Sequence, residues 1–434
     1  MTDLTSLAPL SWRTGAAESR ALLANLQANT LAGHVRPQFR LLFFGFPSGE
    51  AARRFVRGVA SMVKSMAAQL EQSELYRLSN TQIGGTPYIG LGLSRQGYEV
   101  LGRADGAPTD PYFQAGMRDR LSVDDIGDDV AAWEGHYRRG PIHAVVLLGA
   151  SDRNAVDVWT ARNVIRDLGG DSFRFEEIGG QRGIVENPGG ARVDDIVEPF
   201  GFLDGVSQPA FLADDVRSKF VSYDQRASLG DILVAETSHP GQFGTYLVYR
   251  KIEQNVGAFQ TRERNLAASL TGTNRPRRAE MLLAGRDRAG QSPIESGGRD
   301  LNDVSYANDP AGMTCPIAAH VRLMNPRPSS DDGVAHADVV LARRGQRYGP
   351  AWRDGNRTDD VSTRTGLLFV AMAARIEQFV ELERRITGRS AMPGVAGVRD
   401  AMIGPSESVA DAKTVTTRGG EYFFLPSIPF LRSI

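Results

Sequence analysis

The sequence has little cysteine and no excess of charge of one sign, and both features exclude classes of protein. It contains a single cysteine, Cys315, so it can form no internal disulfide and does not belong to the disulfide-rich secreted domains. Lys and Arg together number 50 and Asp and Glu 51, for a formal net charge of -1. Because such a chain has no global field to attract a polyanion, a nucleic acid partner is not expected.

Long apolar runs and several common motifs are also missing. No stretch approaches the roughly 18 uninterrupted apolar residues that a membrane-spanning helix needs, and the opening MTDLTSLAPLSWRTG lacks the apolar core of a secretory signal. No membrane partner is therefore expected, and with the single thiol these absences predict a cytoplasmic protein. HExxH, paired CxxC, GxSxG and phosphate-cradling glycine loops are absent, which removes the usual signatures of zinc, serine hydrolase and nucleotide sites.

The composition is otherwise that of a globular protein with alternating secondary structure. A chain of 434 residues, 41% of them hydrophobic, suits two domains of about 200 residues each. Residues 38–46 predict a strand followed by a helix, and residues 143–150 begin a second unit of the same kind. In the second half, residues 231–236 predict a strand, and residues 365–386 predict an apolar strand that runs into an amphipathic helix.

Many glycines and prolines between residues 179 and 209 interrupt this periodic pattern, which indicates a connection or a site-forming loop. We place a domain boundary near residue 195, giving an N-terminal domain of residues 1–195 and a C-terminal domain of residues 196–434. Short strands mixed with helices in both halves predict an α+β architecture built twice.

Of the six histidines, His320 has the most distinctive neighbours. Small apolar residues precede it, which would let a flat ligand approach closely, and an Asn-Pro turn ends the element. A neutral imidazole is the usual protein ligand of haem iron, provided that a polar partner holds its other nitrogen. The alternative is a surface or hydrogen-bonded histidine with no ligand, and from these residues alone that alternative stays open.

Two further segments contain charged residues in unusual settings. Asp204 lies between Gly201 and Gly205, which permit a tight bend or close contact of the backbone with a large ligand. The alternative is that Asp204 only forms a local turn. Arg343 and Arg344 are adjacent, so on a strand they point to opposite faces and only one can face a buried site. The alternative for this pair is a solvated sheet edge.

Together these three segments resemble the dye-decolourising peroxidase family. The family's GxxDG motif is matched by residues 201–205, its haem-ligand segment by residues 320–327, and its essential arginine by the first of the pair in residues 343–349. Similar segments also occur, in the family's order, at residues 246–251, 285–293, 366–369 and 420–426. Before residue 195 the resemblance is limited to the alternation of strands and helices.

The resemblance implies two ferredoxin-like α+β domains with facing antiparallel sheets, of the dimeric α+β barrel type, and haem b held mainly by the second domain. It implies that His320 is the iron ligand and that Asp204 and Arg343 are catalytic, with Arg343 also contacting the haem. Further cofactor contacts are implied at Gly205, Arg322, Leu367 and Phe369. Leu367 and Phe369 are two residues apart on a predicted strand, so they share a face, which in similar proteins covers the distal side of the haem. We expect Glu377 to hold the outer nitrogen of the ligand histidine.

The implied activity is a peroxidase that uses hydrogen peroxide to oxidise dyes, phenolics or other one-electron donors, with a homodimer as the expected assembly. In this mechanism Asp204 moves a proton between the two peroxide oxygens, and Arg343 stabilises the charge on the departing oxygen. Because an aspartate has a reference pKa of about 3.9, activity should persist in acid. Electrons for bulky donors are expected to pass through tryptophans, the candidates being Trp133, Trp159 and Trp352.

Two other functions fit parts of the pattern. A protein that stores, delivers or strips haem would need His320 but would have no use for Asp204 together with Arg343. A haem-free interaction module descended from the family would need none of the three, and it would show no Soret absorption band.

Overall fold

A computed structural model of the chain describes residues 4–8, 10–33, 36, 38–79, 87–150, 153–160, 170–180, 197–216, 222–295, 301–327, 339–349, 364–405 and 412–434. The strands within these residues are β1 (Gln38–Phe44), β2 (Tyr88–Leu93), β3 (Ala144–Ala150), β4 (Phe173–Gly180), β5 (Val234–Ala235), β6 (Phe243–Gln254), β7 (Ala342–Arg343), β8 (Gln346–Tyr348), β9 (Gly366–Ala373) and β10 (Val415–Leu425). The helices are α1 (Ala17–Asn25), α2 (Gly49–Ala60), α3 (Met66–Ser79), α4 (Arg95–Val100), α5 (Pro111–Ala115), α6 (Arg120–Ile126), α7 (Gly135–Arg138), α8 (Arg153–Trp159), α9 (Val256–Ser269), α10 (Arg275–Ala284), α11 (His320–Met324), α12 (Glu377–Thr387) and α13 (Ile428–Arg432).

The strands form one antiparallel sheet in the order β4-β1-β3-β2-β10-β6-β9-β7, with β5 paired to β6 and β8 paired to β9. The first four strands of the chain therefore lie together, and the last six lie together. β10 joins the two groups, because it pairs with β6 along its whole length and meets β2 where Phe424 pairs with Leu93.

The two ends of this sheet approach each other. β4, at one end, lies against β8 and β9 at the other end. A Cβ atom built on Gly179 of β4 would lie 3.0 Å from Cβ of Gln346 and 3.1 Å from Cδ1 of Leu368, so the backbones pack closely there. The sheet thus curls toward a barrel, as a twisted antiparallel sheet of many strands does. This confirms the predicted α+β fold of the barrel type, while residue 195 and its neighbours lie outside the described residues, so the domain boundary stays a prediction.

Apolar strands form the interior of the fold. β2 and β3 are buried along their whole length. Phe43 of β1 stacks on Phe175 of β4 at a centroid distance of 4.6 Å and lies 5.1 Å from the ring of Tyr249 on β6. Aromatic contacts of this kind bury large apolar areas, so they hold both groups of strands in one core.

The predicted helix after β1 is α2, and the hydroxyl of Ser48 caps it by accepting a hydrogen bond from the backbone N–H of Ala51 (3.2 Å). The helix ends at Ala60, so Met62, which continues the helical spacing of the apolar residues, lies beyond it. Its buried residues are Ala52, Phe55, Val56, Val59 and Ala60. Among the described residues, no helix combines the length and apolar character needed to cross a membrane.

One buried histidine makes the stability of the fold depend on pH. His143 is 7% exposed, and its Nδ1 accepts a hydrogen bond from the backbone N–H of Phe46 at 2.8 Å, which requires that nitrogen to be unprotonated. Burial, assisted by the charge of Arg174, lowers the pKa of His143 to about 4. Since an unfolded histidine has a pKa of about 6.5, the unfolded chain binds more protons between these two values. The contribution of His143 to stability is therefore complete above pH 6.5 and is lost as the pH falls toward 4.

We expect the free energy of unfolding to decrease between pH 6.5 and pH 4, and His143→Gln to make that decrease smaller, because glutamine can accept a hydrogen bond without titrating. Urea unfolding at a series of pH values measures both. An equal pH dependence in the wild type and His143→Gln would contradict this assignment.

Candidate active site

His320 is the first residue of α11, and a buried carboxylate fixes its ring. Its Nδ1 lies 2.7 Å from Oδ2 of Asp400, whose side chain is fully buried. The other carboxylate oxygen of Asp400 accepts hydrogen bonds from the backbone N–H groups of Met402 (2.8 Å) and Ile403 (2.9 Å). Because an ionised carboxylate can only accept hydrogen bonds, Nδ1 bears the proton and the imidazole is held in one orientation.

This pairing leaves the second ring nitrogen of His320 available. Within the described part of the chain, Nε2 has no hydrogen-bond partner, and the side chain is 30% exposed. Burial lowers the pKa of His320, but the carboxylate of Asp400 opposes and outweighs it, so the pKa stands above its usual value. Arg343 lowers this pKa and Glu198 raises it, so both side chains lie within electrostatic reach of the imidazole.

The prediction that Glu377 holds the outer nitrogen of His320 is wrong. Glu377 lies at the start of α12, where its carboxylate forms an ion pair with Arg384 of the same helix at 2.5 Å. Asp400 holds the histidine instead. Asp400 follows His320 by 80 residues and lies in a segment without helical or strand periodicity, so no sequence pattern pointed to it.

The loop that contains Asp204 is bent at both of its glycines. Gly201 and Gly205 have φ angles of 99° and 75°, in the left-handed region that favours glycine. Asp204 is exposed, and its Oδ1 accepts a hydrogen bond from the backbone N–H of Gly205 at 2.7 Å. This hydrogen bond to the next residue is not the turn considered as the alternative, which would use the N–H group two residues on, and it occupies only one carboxylate oxygen. The other oxygen, Oδ2, has no partner among the residues that the structure describes.

A second carboxylate, that of Glu198, anchors the loop that contains Asp204, and the sequence did not indicate it. Glu198 accepts hydrogen bonds from the backbone N–H groups of Phe200 (3.0 Å) and Phe202 (2.9 Å) and from the side chain of Gln254 on β6 (2.7 Å). Burial raises the pKa of Glu198, and the negative charge of Asp204 raises it further. Asp204 thus lies within electrostatic reach of Glu198, and the hydrogen bond with Gln254 ties the loop to the sheet.

Arg343 and Arg344 have different hydrogen-bond partners, as expected for adjacent residues whose side chains point to opposite faces of a strand. Arg344 donates to the backbone oxygens of Asn29 (2.8 Å) and Thr30 (3.2 Å), so it ties β7 to the N-terminal part of the chain. Arg343 is exposed, and its Nη2 donates to the backbone oxygen of Ser207, in the loop that contains Asp204. The arginine selected by the resemblance is therefore the one that meets the Asp204 loop.

The predicted apolar face of β9 is present. Leu367 and Phe369 are both half-buried, whereas Leu368 and Val370, on the other face, are buried. Half-exposed apolar side chains in the interior of a sheet suit a flat apolar ligand. The contacts of Leu367 and Phe369 with a cofactor stay predictions.

Arg322 points elsewhere. Its guanidinium donates to Oδ2 of Asp309 (2.9 Å) and to the backbone oxygen of Cys315 (2.6 Å), and it lies 4.6 Å from the ring of Tyr306. It thus fastens the segment that precedes His320. This geometry favours a supporting role for Arg322 over the predicted contact with the cofactor.

The tryptophans predicted to relay electrons differ in their surroundings. Trp133 is 2% exposed and belongs to the core, and Trp159 is partly buried. Trp352 lies outside the described residues. None of the tryptophans placed by the structure is fully exposed, so the relay stays a prediction.

The chain is similar to known proteins over its whole length. The multifunctional dye peroxidase DyP2 of an Amycolatopsis species is 35% identical over 475 aligned positions, covering 98% of each chain. The solved structure of DyP2 matches with a TM-score of 0.83 over 100% of each chain. A DyP-type peroxidase of an Anabaena species matches with a TM-score of 0.82 at 28% identity, over 99% of this chain and 98% of the other. No protein-family model matches the chain.

Similarity of this extent, to proteins with the same fold, defines the chain as a peroxidase, an enzyme that acts on hydrogen peroxide and a reductant. It belongs to the dye-decolourising peroxidase family.

Proposed function

We propose that this peroxidase binds haem b through Nε2 of His320 and uses Asp204 and Arg343 to cleave hydrogen peroxide. The observation that supports this most strongly is the pair of His320 and Asp400. A buried carboxylate on one ring nitrogen, with the other nitrogen unpartnered among the described residues, is the arrangement of metal-binding histidines.

The surroundings of His320 fit a haem group. The residue before it, Ala319, is buried and small, so it leaves room for a flat ring. A Cβ atom built on Gly205 would meet no atom within 4 Å, so the backbone beside Asp204 faces open space. Together with the apolar face of Leu367 and Phe369, these features suit a large flat apolar ligand. Haem, when bound, would supply the two electrons that cleave the peroxide bond and would recover them from a reductant.

Asp204 is the proposed proton carrier. Its Oδ2 would take the proton from one peroxide oxygen and deliver it to the other, which leaves as water. The hydrogen bond from Gly205 N–H to Oδ1 fixes the carboxylate while leaving Oδ2 to move the proton. Glu198 holds the loop in place through the backbone of Phe200 and Phe202.

Arg343 is the proposed electrostatic group. Its permanent charge would stabilise the negative charge that builds up on the departing oxygen. Because it is already oriented by the backbone oxygen of Ser207, little reorganisation is needed during the reaction.

Binding of haem tests this proposal. Wild-type protein mixed with haem should show a Soret band of a histidine-ligated haem, and His320→Ala should lose or shift that band. His239→Gln, which replaces a histidine outside the site, should match the wild type. An identical spectrum for His320→Ala and the wild type would exclude His320 as the ligand.

Asp400 should make His320 a stronger ligand of the haem iron. Asp400→Asn keeps the shape of the side chain but removes the charge that strengthens the imidazole, so we expect a loss of roughly 10-fold to 100-fold in activity or haem affinity. Peroxide kinetics and haem titration measure both. Glu377→Gln is the matched control, since Glu377 contacts Arg384 rather than His320, and its activity should stay close to that of the wild type. Equal activities of the two variants would contradict the role of Asp400.

Dyes and phenolics are the proposed reductants, and relatives named for dye oxidation support them. A homodimeric assembly and a cytoplasmic location also remain proposals, drawn from the sequence.

A further inference from the structure

Ser207 contacts both of the segments that meet the Asp204 loop. Its backbone oxygen accepts the hydrogen bond of Arg343 Nη2, and its side-chain hydroxyl accepts a hydrogen bond from Arg327 Nη2 at 3.3 Å. Arg327 belongs to the segment that begins with His320. One residue therefore links the three segments that contain the proposed catalytic and iron-binding groups.

Arg327 is anchored firmly enough to act as a fixed support. It is 1% exposed, and its Nη1 donates to the backbone oxygens of Asn302 (2.7 Å) and Val304 (2.8 Å). Its guanidinium lies 4.0 Å from the ring centroid of Tyr223. Its φ of 46° is in the left-handed region, which a residue other than glycine keeps only where surrounding contacts enforce it.

Arg343 is much less restrained by itself. Among the residues that the structure describes, the backbone oxygen of Ser207 is the only acceptor that its guanidinium reaches, and the side chain is exposed. A long exposed arginine has many rotamers, so its average position depends on this single acceptor. Ser207 in turn accepts a hydrogen bond from Arg327 through its hydroxyl.

We propose that Ser207 and Arg327 are positioning residues for the reaction with peroxide. Arg327 fixes Ser207 through its hydroxyl, and the backbone oxygen of Ser207 holds Arg343 facing the space beside Asp204. Neither residue touches peroxide in this arrangement. The inference rests on the proposed function, since it acts through Arg343.

Two substitutions at Ser207 separate this role from general loosening of the loop. Ser207→Ala keeps the backbone oxygen that Arg343 uses but removes the acceptor of Arg327, whereas Ser207→Thr keeps the hydroxyl. We expect Ser207→Ala to lower the second-order rate constant of the haem-loaded enzyme with hydrogen peroxide by about tenfold, the effect of losing one charge-assisted hydrogen bond. Ser207→Thr should stay within about twofold of the wild type. The KM for a small phenolic reductant should be unchanged in both, because oxidation of the reductant does not use this contact.

A double-mutant cycle with Arg343→Leu completes the test. If Ser207 acts through Arg343, Ser207→Ala should cause no further loss in the Arg343→Leu background. An undiminished tenfold loss in that background, or a wild-type rate for Ser207→Ala alone, overturns the positioning role. If Arg343→Leu itself reacts at the wild-type rate, the proposed function fails, and that outcome is distinct from the other two.

Discussion

Asp204→Asn should lower the rate constant for the reaction with hydrogen peroxide by a factor between about 10² and 10⁴, the usual contribution of a general acid–base group. The amide cannot take a proton from peroxide, but its oxygen can still accept the hydrogen bond of Gly205 N–H, so the loop should keep its shape. Haem content should therefore equal that of the wild type. Stopped-flow absorption after mixing with peroxide measures the rate constant, and the Soret band measures haem content.

The control for this experiment is an exposed aspartate outside the site. Asp224 pairs with Arg226 at the surface, and Asp224→Asn should react with peroxide at the wild-type rate. A wild-type rate for Asp204→Asn with full haem content would exclude Asp204 as the proton carrier. Transfer of the proton would then have to be assigned to a group other than Asp204.

Arg343→Leu should reduce the same rate constant by roughly 10² to 10³, which is typical of removing one preorganised donor. Leucine preserves the aliphatic volume while removing the charge that would stabilise the departing oxygen. Arg343→Lys should fall between the wild type and Arg343→Leu, because lysine keeps the charge but lacks the planar fork of donors. Measurement of all three rate constants tests the order, and equal rates for Arg343→Leu and the wild type would contradict the role of Arg343.

Lowering the pH should affect the rate of the peroxide step and the stability of the fold differently. Because the proposed base is a carboxylate rather than an imidazole, the peroxide step should stay fast in acid. The neutral, buried His143, by contrast, loses its stabilising contribution between pH 6.5 and 4. Initial rates should therefore remain high near pH 4 to 5 while the lifetime of the enzyme shortens. Initial rates that peak near pH 8 and vanish below pH 6 would contradict an aspartate base.

The sequence predicts His320, Asp204 and Arg343 as the principal site residues because each lies in a short segment that resembles a motif of the family. The structure places Arg343 against the loop of Asp204 and within electrostatic reach of His320, although the three lie far apart in the chain. Asp400 and Glu198 could not be predicted in the same way. Asp400 meets His320, and Glu198 meets Gln254, only when distant segments come together, and such contacts leave no periodic pattern in the sequence.

The fold was predictable where apolar runs are continuous, as in β1, β3 and β9, and less so where glycine interrupts them. β2 contains Gly90 and Gly92, which weaken the strand pattern. Close packing explains the glycines: a Cβ on Gly90 would lie 2.7 Å from the hydroxyl of Tyr88, and one on Gly92 would lie 3.0 Å from Val145. The joining of β2 to β10 is a long-range contact that no local pattern indicates.

A local turn also shortened one predicted strand. The pattern of residues 231–236 predicts a strand, but β5 spans only Val234–Ala235. Just before it lies a short helical turn, in which the backbone N–H groups of residues 231–233 donate to the backbone oxygens of Ser228 and Leu229 instead of to a neighbouring strand. These local hydrogen bonds therefore keep the strand from beginning before Val234.

We propose that His320 holds a haem iron and that Asp204 and Arg343 act on the peroxide. The most direct measurement is the Soret absorption of the haem-loaded wild-type enzyme during rapid mixing with one equivalent of hydrogen peroxide, compared with Asp204→Asn. We expect a resting Soret band that declines rapidly in the wild type and at least a hundredfold more slowly in the variant. A protein that takes up no haem, or a band that changes equally fast in both proteins, would contradict the claim.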